Sequence, residues 1–191
     1  MLILASQSRY KRQQLEVLGL GARSIAPDAN EALLNGETLR EASARLAQLK
    51  AQIISRSHPN ATVIGSDQTA HLEGETEILR KPGGFERAFG QLMKCSGRTV
   101  LFHSGICLVH PAHPPLTHIE TTRVTFRQLD EDTVRRYLEK EQPWDCAGAF
   151  KCEGLGISLF ERVASNDPTA LVGLPLIALS RLLRQVGYPV P

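Results

Sequence analysis

Apolar residues recur along the chain with two periods, which predict alternating strands and helices. Short apolar runs predict buried strands at 2–5 and 62–65, and two longer segments, 99–109 and 117–127, predict a long hairpin. Apolar positions three and four residues apart predict five helices, at about 9–18, 39–55, 85–96, 131–140 and 175–186. Strands that alternate with helices favour an α/β fold with a mixed sheet.

Polar residues at the ends of these segments support the predicted boundaries. Thr38 and Glu41 have the spacing of a capping box, and Ser8 stands where it can cap the first helix. Basic residues follow Ser8 in the first turns of that helix: Arg9, Lys11 and Arg12. Positive charge there opposes the helix dipole, so the cluster indicates either an anionic ligand or a solvated basic face.

Composition excludes several classes of protein. The 191 residues are 42% hydrophobic and 22% charged, which suits one globular domain over 1–191, arranged as one unit or as two lobes. The net charge of +2 does not favour a nucleic-acid binder. No apolar run approaches the ~20 residues of a membrane helix, so we expect a soluble, cytoplasmic protein with no membrane partner.

Cysteine and histidine spacings offer little support for a metal centre. No two of the four cysteines have CxxC spacing, so buried free thiols are expected. His110 and His113 have HxxH spacing, but the prolines around them exclude a helix, and a solvated turn is favoured.

The remaining candidate site is dispersed along the chain. Asp67 follows the strand 62–65, where open α/β sheets place their chemistry, and Glu31 lies in a loop. Lys50 and Lys81 add positive charge. Carboxylates, ammonium groups and a helix N-terminus together suit a polyphosphate with Mg²⁺, although each residue taken alone is more often a surface charge.

An ordered series of short motifs runs through the whole chain. They are LASQSRYKRQQL at 4–15, APDANE at 26–31, LAQLKA at 46–51, GSDQ at 65–68, KP at 81–82, TRVTF at 122–126, WDCAGAFKCEG at 144–154 and VGLPL at 172–176. In this order they resemble the motifs of the Maf family of nucleotide pyrophosphatases, and most closely its 7-methyl-GTP branch.

The resemblance implies a fold, a reaction and a site. The fold would be an elongated mixed sheet flanked by helices, with a central cleft between two lobes, usually in a homodimer. The reaction would be hydrolysis of a nucleoside triphosphate between the α and β phosphorus atoms, with Mg²⁺ or Mn²⁺, giving a monophosphate and pyrophosphate. Asp67 would accept the proton of the attacking water, and Glu31 would join Asp67 in holding the metal. The residues matched to phosphate contacts are Ser8, Lys11, Arg12, Lys50 and Lys81.

Three positions match the family's specificity sites: Tyr10, Gln68 and Glu153. N7-methylation makes guanine cationic, so an aromatic ring such as that of Tyr10 can stack on it. The carboxylate of Glu153 can accept from the N1–H and N2–H₂ edge of the base. Without the resemblance, Tyr10 would be read as a core residue and Glu153 as a solvated loop residue.

The chain departs from the family pattern near two of these sites. Arg9 stands in place of a proline, and Lys11 in place of an arginine that could bind phosphate bidentately. Asn30 stands in place of an aspartate, which lowers the negative charge beside Glu31 and makes Asp28 a candidate replacement.

Rival functions remain at this point. A pyrophosphatase for dTTP and UTP, or for deaminated purine triphosphates, would keep the mechanism and change the base. A nucleotide-binding regulator of septum formation would bind without turnover, and would not need Asp67 with its two lysines. A nucleic-acid module is disfavoured by the missing basic face.

Overall fold

One six-stranded mixed sheet runs through the chain, and the predicted α/β class is confirmed. The computed structural model describes all 191 residues. The strands are β1 (Leu2–Ala5), β2 (Arg23–Ser24), β3 (Thr62–Leu72), β4 (Thr99–His110), β5 (His113–Phe126) and β6 (Phe160–Ala164). The α-helices are α1 (Arg9–Val17), α2 (Leu39–Ser57), α3 (Phe85–Cys95), α4 (Glu131–Glu141) and α5 (Leu176–Gln185). Three short 3₁₀ turns lie at Ala147–Ala149, Leu155–Leu159 and Ala170–Val172.

The order of the strands leaves part of β3 without a neighbour on one side. The order across the sheet is β2-β1-β3-β4-β5-β6, with β1 parallel to β2 and β3 and the remaining pairs antiparallel. β1 pairs with β3 only over 62–65. Beyond Gly65 this edge of β3 therefore faces the loop that follows β1, and the functional cleft opens there.

Helix α2 lies directly against one face of the sheet. Its residues Ala47, Ala51 and Ile54 pack on buried residues of β1 and β3. Gly65 makes this contact possible, because a Cβ atom there would overlap the backbone of α2 at Ala47. Gly105 approaches Ser43 of α2 in the same way.

The opposite face carries two separate hydrophobic clusters. Helices α1 and α5 cover Leu4 and Ile64 at one end, whereas α3 and α4 cover Ala70 and Phe102 at the other. Between the clusters lie polar residues of β3 and β4, namely Ser66, Gln68 and Ser104. Ser66 and Gln68 of this strip line the cleft.

All five predicted helices are confirmed to within two residues, but the predicted bounds of β3 and β5 were wrong. β5 begins at His113 rather than at 117, so that His113 lies in the strand, paired with His110, and not in the predicted turn. β3 does not end at Gly65: it continues to Leu72, so Asp67 lies inside the strand. The polar residues of β3 find partners in neighbouring elements; Thr69, for example, donates to the carbonyl of Leu39 at 2.8 Å. The strands β2 and β6 were not predicted, because they are short and mostly exposed.

The cysteines divide into two kinds. Cys95 and Cys107 are buried free thiols, as expected. Cys146 and Cys152 are only half-buried and line the cleft, which corrects the expectation of burial. Burial raises the pKa of Cys146 to about 11 and that of Cys152 to about 12, so both are neutral thiols at pH 7.

The five helices include no candidate for a membrane-spanning segment, because none combines the necessary length with the necessary hydrophobicity.

Candidate active site

The dispersed candidate residues converge on one cleft of about 630 Å³. Its walls come from the loop and first turn at 5–11, the loop around Glu31, the middle of β3, Lys81 and the segment 145–153. The end of β1 and the start of α1 therefore face a segment that is more than a hundred residues distant in sequence. Of the ten residues predicted for the site, nine line this cleft.

Lys50 lies at the centre of the charge arrangement. Its Nζ is 2.5 Å from Oδ1 of Asp67 and 2.6 Å from Oε1 of Glu31. The side chains of Lys50 and Asp67 are each only 11% exposed, whereas Glu31 is 60% exposed. Burial by itself lowers the pKa of Lys50, but the ion pairs with Asp67 and Glu31 outweigh it and the pKa is raised. Lys50 is thus a fixed cation that holds two carboxylates at one point.

Lys11 is a second lysine of the cleft, and it is half-buried. Its side chain passes over Gly173, where φ is +135° and a Cβ would lie 3.0 Å from Cε of Lys11, and its Nζ donates to the carbonyl of Ser66 at 3.3 Å. Burial lowers the pKa of Lys11 to about 8, and the positive charges of Lys50 and Lys81 act in the same direction, while Asp67 opposes them. An anion in the cleft would stabilise its charged form.

The other predicted phosphate contacts differ in placement. Ser8 lines the cleft, caps α1 and accepts from the backbone N–H of Lys11 at 3.4 Å. Lys81 is exposed and also lines the cleft. Arg12 does not line it: its side chain is exposed on another side of α1, because successive residues of a helix point about 100° apart. Asp28, the suggested substitute near Asn30, is also exposed and outside the cleft.

The three predicted specificity residues all line the cleft, in different environments. Tyr10 is half-buried rather than a core residue, and burial raises its pKa to about 12, so that its hydroxyl is neutral. Glu153 is exposed and accepts from the thiol of Cys152 at 3.3 Å. The amide nitrogen of Gln68 donates to the carbonyl of Ala170 at 3.1 Å and to Oγ of Ser104 at 2.9 Å, and so anchors the 3₁₀ turn Ala170–Val172.

Two supporting side chains went unrecognised in the sequence. Gln14 of α1 exchanges hydrogen bonds with the backbone of Leu174, accepting at 2.9 Å and donating at 3.1 Å. Asp167 is buried and accepts from the N–H of Ile177 at 2.7 Å, which caps the first turn of α5. Both fix the segment that contacts Lys11. The only indication of this role in the sequence was the position of Asp167 ahead of the helix predicted to begin at Pro175.

Asp145 and Cys146 also line the cleft and were not predicted as site residues. They lie in a loop without hydrophobic period, so pattern analysis gives no indication of their position. The only available signal was their place inside the motif at 144–154, which also contains Glu153.

The carboxylates of Asp67 and Glu31 suit a divalent cation that binds together with a phosphate-bearing ligand. No cluster of three or more His, Cys, Asp and Glu side chains able to hold a metal ion is found. Asp67 and Glu31 nevertheless converge on the single cation of Lys50. Mg²⁺ commonly binds one or two carboxylates and completes its shell with substrate phosphates and water, so the donor set fits that mode of binding.

Fold and site together define an α/β protein with a cleft for a phosphate-bearing ligand, in which lysines and a helix N-terminus face paired carboxylates. The chain belongs to the Maf family: the family model described as "Maf-like protein" matches residues 1–186.

Relatives within this family carry a more specific name. A protein of Saccharophagus degradans named "7-methyl-GTP pyrophosphatase" is 50% identical over 188 residues, covering 98% of this chain and 94% of the relative. A protein of Xanthomonas axonopodis pv. citri with the same name is 49% identical over 190 residues, covering 100% of this chain and 98% of the relative.

A solved structure supports the fold. The HAM1 protein of Coxiella burnetii superimposes with a TM-score of 0.56 at 19% identity, covering 96% of this chain and 98% of the other. At that identity the likeness concerns the architecture alone.

Proposed function

We propose that this protein is a nucleoside triphosphate pyrophosphatase that hydrolyses the α–β anhydride bond of 7-methyl-GTP and releases 7-methyl-GMP and pyrophosphate. The names of relatives about 50% identical to the chain support this substrate. The observation that carries the proposal is the contact of Lys50 with both Asp67 and Glu31 in a cleft that Lys11 also enters.

Asp67 is the proposed proton acceptor for the attacking water. Lys50 binds one of its oxygens, Oδ1, and α2 fixes the position of Lys50. This leaves Oδ2 without a protein donor, so it is the oxygen that would take the proton from water. The buried setting holds the carboxylate in one orientation, which general base catalysis requires.

Positive charge would stabilise the phosphates. Lys11 and Lys81 lie on the cleft wall, and Ser8 stands at the N-terminus of α1, where free N–H groups favour anions. These groups oppose the charge that develops on the phosphoryl oxygens in the transition state.

Asp67 and Glu31 would also hold the divalent cation, Mg²⁺ or Mn²⁺, together with the substrate. When bound, the ion neutralises phosphate charge and lowers the pKa of a nearby water. Lys50, released from Glu31, would then be free to contact phosphate oxygens.

The base is proposed to stack on Tyr10 and to be read partly by Glu153, both of which line the same cleft. Gln68 contributes differently, since its amide nitrogen already holds the turn Ala170–Val172. If Glu153 reads the base, Glu153→Gln reduces the preference for 7-methyl-GTP over UTP, and an unchanged ratio of kcat/KM would place base reading elsewhere.

A substrate panel tests the proposed reaction. The protein is incubated with 7-methyl-GTP, GTP, dTTP, UTP, CTP or ITP and Mg²⁺ or Mn²⁺, and pyrophosphate and monophosphate are measured. Preferential cleavage of 7-methyl-GTP supports the proposal, whereas preference for dTTP and UTP refutes its base specificity. Binding without release of pyrophosphate would favour a regulator, such as one of septum formation.

The matched variants are Asp67→Asn and Glu139→Gln. Asp67→Asn is expected to cut turnover by about 10² or more with the fold intact, because it removes the base. Glu139 is exposed on α4, outside the cleft, so Glu139→Gln controls for the loss of one carboxylate. Turnover by Asp67→Asn close to that of Glu139→Gln would remove Asp67 from the role.

We further propose one domain over 1–191 with two lobes, acting as a cytoplasmic homodimer without a membrane or stable nucleic-acid partner. The single continuous sheet and its two hydrophobic clusters on one face support the domain assignment. Light scattering on the purified protein tests the dimer, and cell fractionation tests the location.

A further inference from the structure

The guanidinium group of Arg9 covers the ring of Tyr10 inside the cleft. Its Cζ lies 4.7 Å from the ring centroid, and Nη2 donates to the Tyr10 hydroxyl at 2.7 Å. The same Nη2 is 3.6 Å from Oδ2 of Asp145, and the Tyr10 hydroxyl is 3.4 Å from Oδ1 of that carboxylate. These three side chains, the Arg9–Tyr10–Asp145 cluster, join the start of α1 to the segment 145–153 across the cleft.

The guanidinium group of Arg9 resembles the proposed base in shape, charge and hydrogen-bond donors. It is planar, it carries a delocalised positive charge, and it presents a fork of N–H donors to a carboxylate. The C2 atom of guanine with its three nitrogens, N1, N2 and N3, forms a guanidine unit, and N7-methylation gives the ring a positive charge. The Arg9 guanidinium and a 7-methylguanine base would therefore form the same arrangement here, a planar cation over Tyr10 with a carboxylate at its edge.

We propose that Arg9 occupies the base position in the free protein, and that the 7-methylguanine base displaces it and takes Asp145 as the acceptor for its N1–H and N2–H₂ edge. This inference rests on the proposed function, because it assumes a base at Tyr10. It assigns specificity to two residues outside the predicted set, one of them the arginine that replaces the family's proline.

The contacts of Arg9 are weak enough to be exchanged. The side chains of Arg9 and Asp145 are 59% and 51% exposed, and an ion pair so open to water stabilises the closed arrangement only slightly. A base that enters the cleft replaces this pair with a larger stacked area and two parallel hydrogen bonds. Two cations do not share one face of a ring, so Arg9 leaves when the base arrives.

Displacement also explains why a basic residue stands at this position. Arg9 is the first residue of α1 and follows Ser8, which lines the phosphate end of the cleft. Once released from Asp145, its guanidinium remains next to the anionic part of the substrate.

Binding of a nucleoside separates the base from the phosphates. The probe is 7-methylguanosine, titrated calorimetrically against wild type, Arg9→Ala and Asp145→Asn without metal. Arg9→Ala is expected to tighten binding by about threefold to tenfold, because no side chain has to be displaced. Asp145→Asn is expected to weaken it by about tenfold or more, because the paired acceptor is lost.

A second probe distinguishes direct reading from a structural effect. 7-Methylinosine has the same cationic ring without the 2-amino group, so wild type should prefer 7-methylguanosine and Asp145→Asn should lose that preference. The controls for charge are Arg181→Gln on α5 and Glu139→Gln on α4, both exposed and outside the cleft, and neither should change the affinity.

Either of two results overturns the inference. Unchanged or weaker binding of 7-methylguanosine by Arg9→Ala would show that Arg9 does not occupy the base position. Retained preference over 7-methylinosine in Asp145→Asn would show that another group, such as Glu153, reads the edge. Neither result depends on turnover, so release of pyrophosphate from the triphosphate panel by wild type judges the proposed function separately.

Discussion

Lys11→Met, which replaces a half-buried lysine in the wall of the cleft, should stabilise the protein at neutral pH. Burial lowers the pKa of Lys11 from the ordinary 10.5 to about 8, a difference of about 2.5. At about 1.4 kcal/mol for each pH unit, the charged form of Lys11 costs the folded state about 3 kcal/mol. Methionine keeps the length of the side chain and removes this cost.

The sign of the pH dependence follows from the same two pKa values. Between pH 8 and 10.5 the unfolded chain holds the Lys11 proton and the folded protein has lost it. The wild type therefore gains stability as pH rises through this window, while Lys11→Met does not. The advantage of Lys11→Met should be complete below pH 8 and shrink by about 3 kcal/mol by pH 10.5.

Urea unfolding of both proteins at a series of pH values measures this difference directly. Lys140→Met is the matched control, because Lys140 is exposed on α4, and its unfolding free energy should follow wild type throughout. A difference between Lys11→Met and wild type that stays constant from pH 7 to 10.5 would refute the reasoning, whatever its size. A constant offset would reflect packing, whereas only titration of Lys11 makes the difference change with pH.

Three further predictions concern stability, each measured by urea unfolding. Gly65→Ala should cost about 2 kcal/mol or more, because its Cβ would overlap the backbone of α2, and wild-type stability would contradict that close approach. Asp167→Asn should cost about 1–2 kcal/mol, because the first turn of α5 loses its charged acceptor; an unchanged midpoint would show that the cap contributes nothing. His103 is buried, and burial lowers its pKa to about 4. The free energy of unfolding of wild type should therefore fall by up to about 3 kcal/mol as pH falls from 6.5 to 4, whereas that of His103→Gln should fall less. Equal decreases in the two proteins would rule His103 out as the cause.

The helices were predictable because their signals are local. The apolar stripes of α2 and α5 face the sheet, and the capping box of Thr38 and Glu41 closes as its spacing predicts, with the Thr38 N–H donating to Glu41 at 2.9 Å. Such contacts form between residues that are close in sequence, so the pattern is sufficient.

The full length of β3 was not predictable in this way. Asp67, Gln68 and Thr69 are polar, and three polar residues after an apolar run predict the end of a strand. They continue the strand because Lys50, Ser104 and the carbonyl of Leu39 satisfy them from other elements. No local signal carries information about those partners.

In the site, too, some features were predictable from the sequence and others depend on the folded chain. The motifs identified Asp67, Glu31 and Lys50, and the structure brings all three within hydrogen-bond distance. They gave Arg12 rather than Arg9 as a site residue, whereas Arg9 lines the cleft and Arg12 does not, because only the direction of α1 relative to the cleft decides which of the two faces it.

By itself, the sequence determined the class of fold, the helices and their caps, and the types of side chain that a phosphate site requires. Only the tertiary structure decided that Lys50 contacts two carboxylates, that desolvation in the cleft wall lowers the pKa of Lys11, and that Arg9 meets Asp145 across the cleft. Hydrophobic period and capping act over a few residues, whereas charge pairing and desolvation depend on groups that only the folded chain brings together.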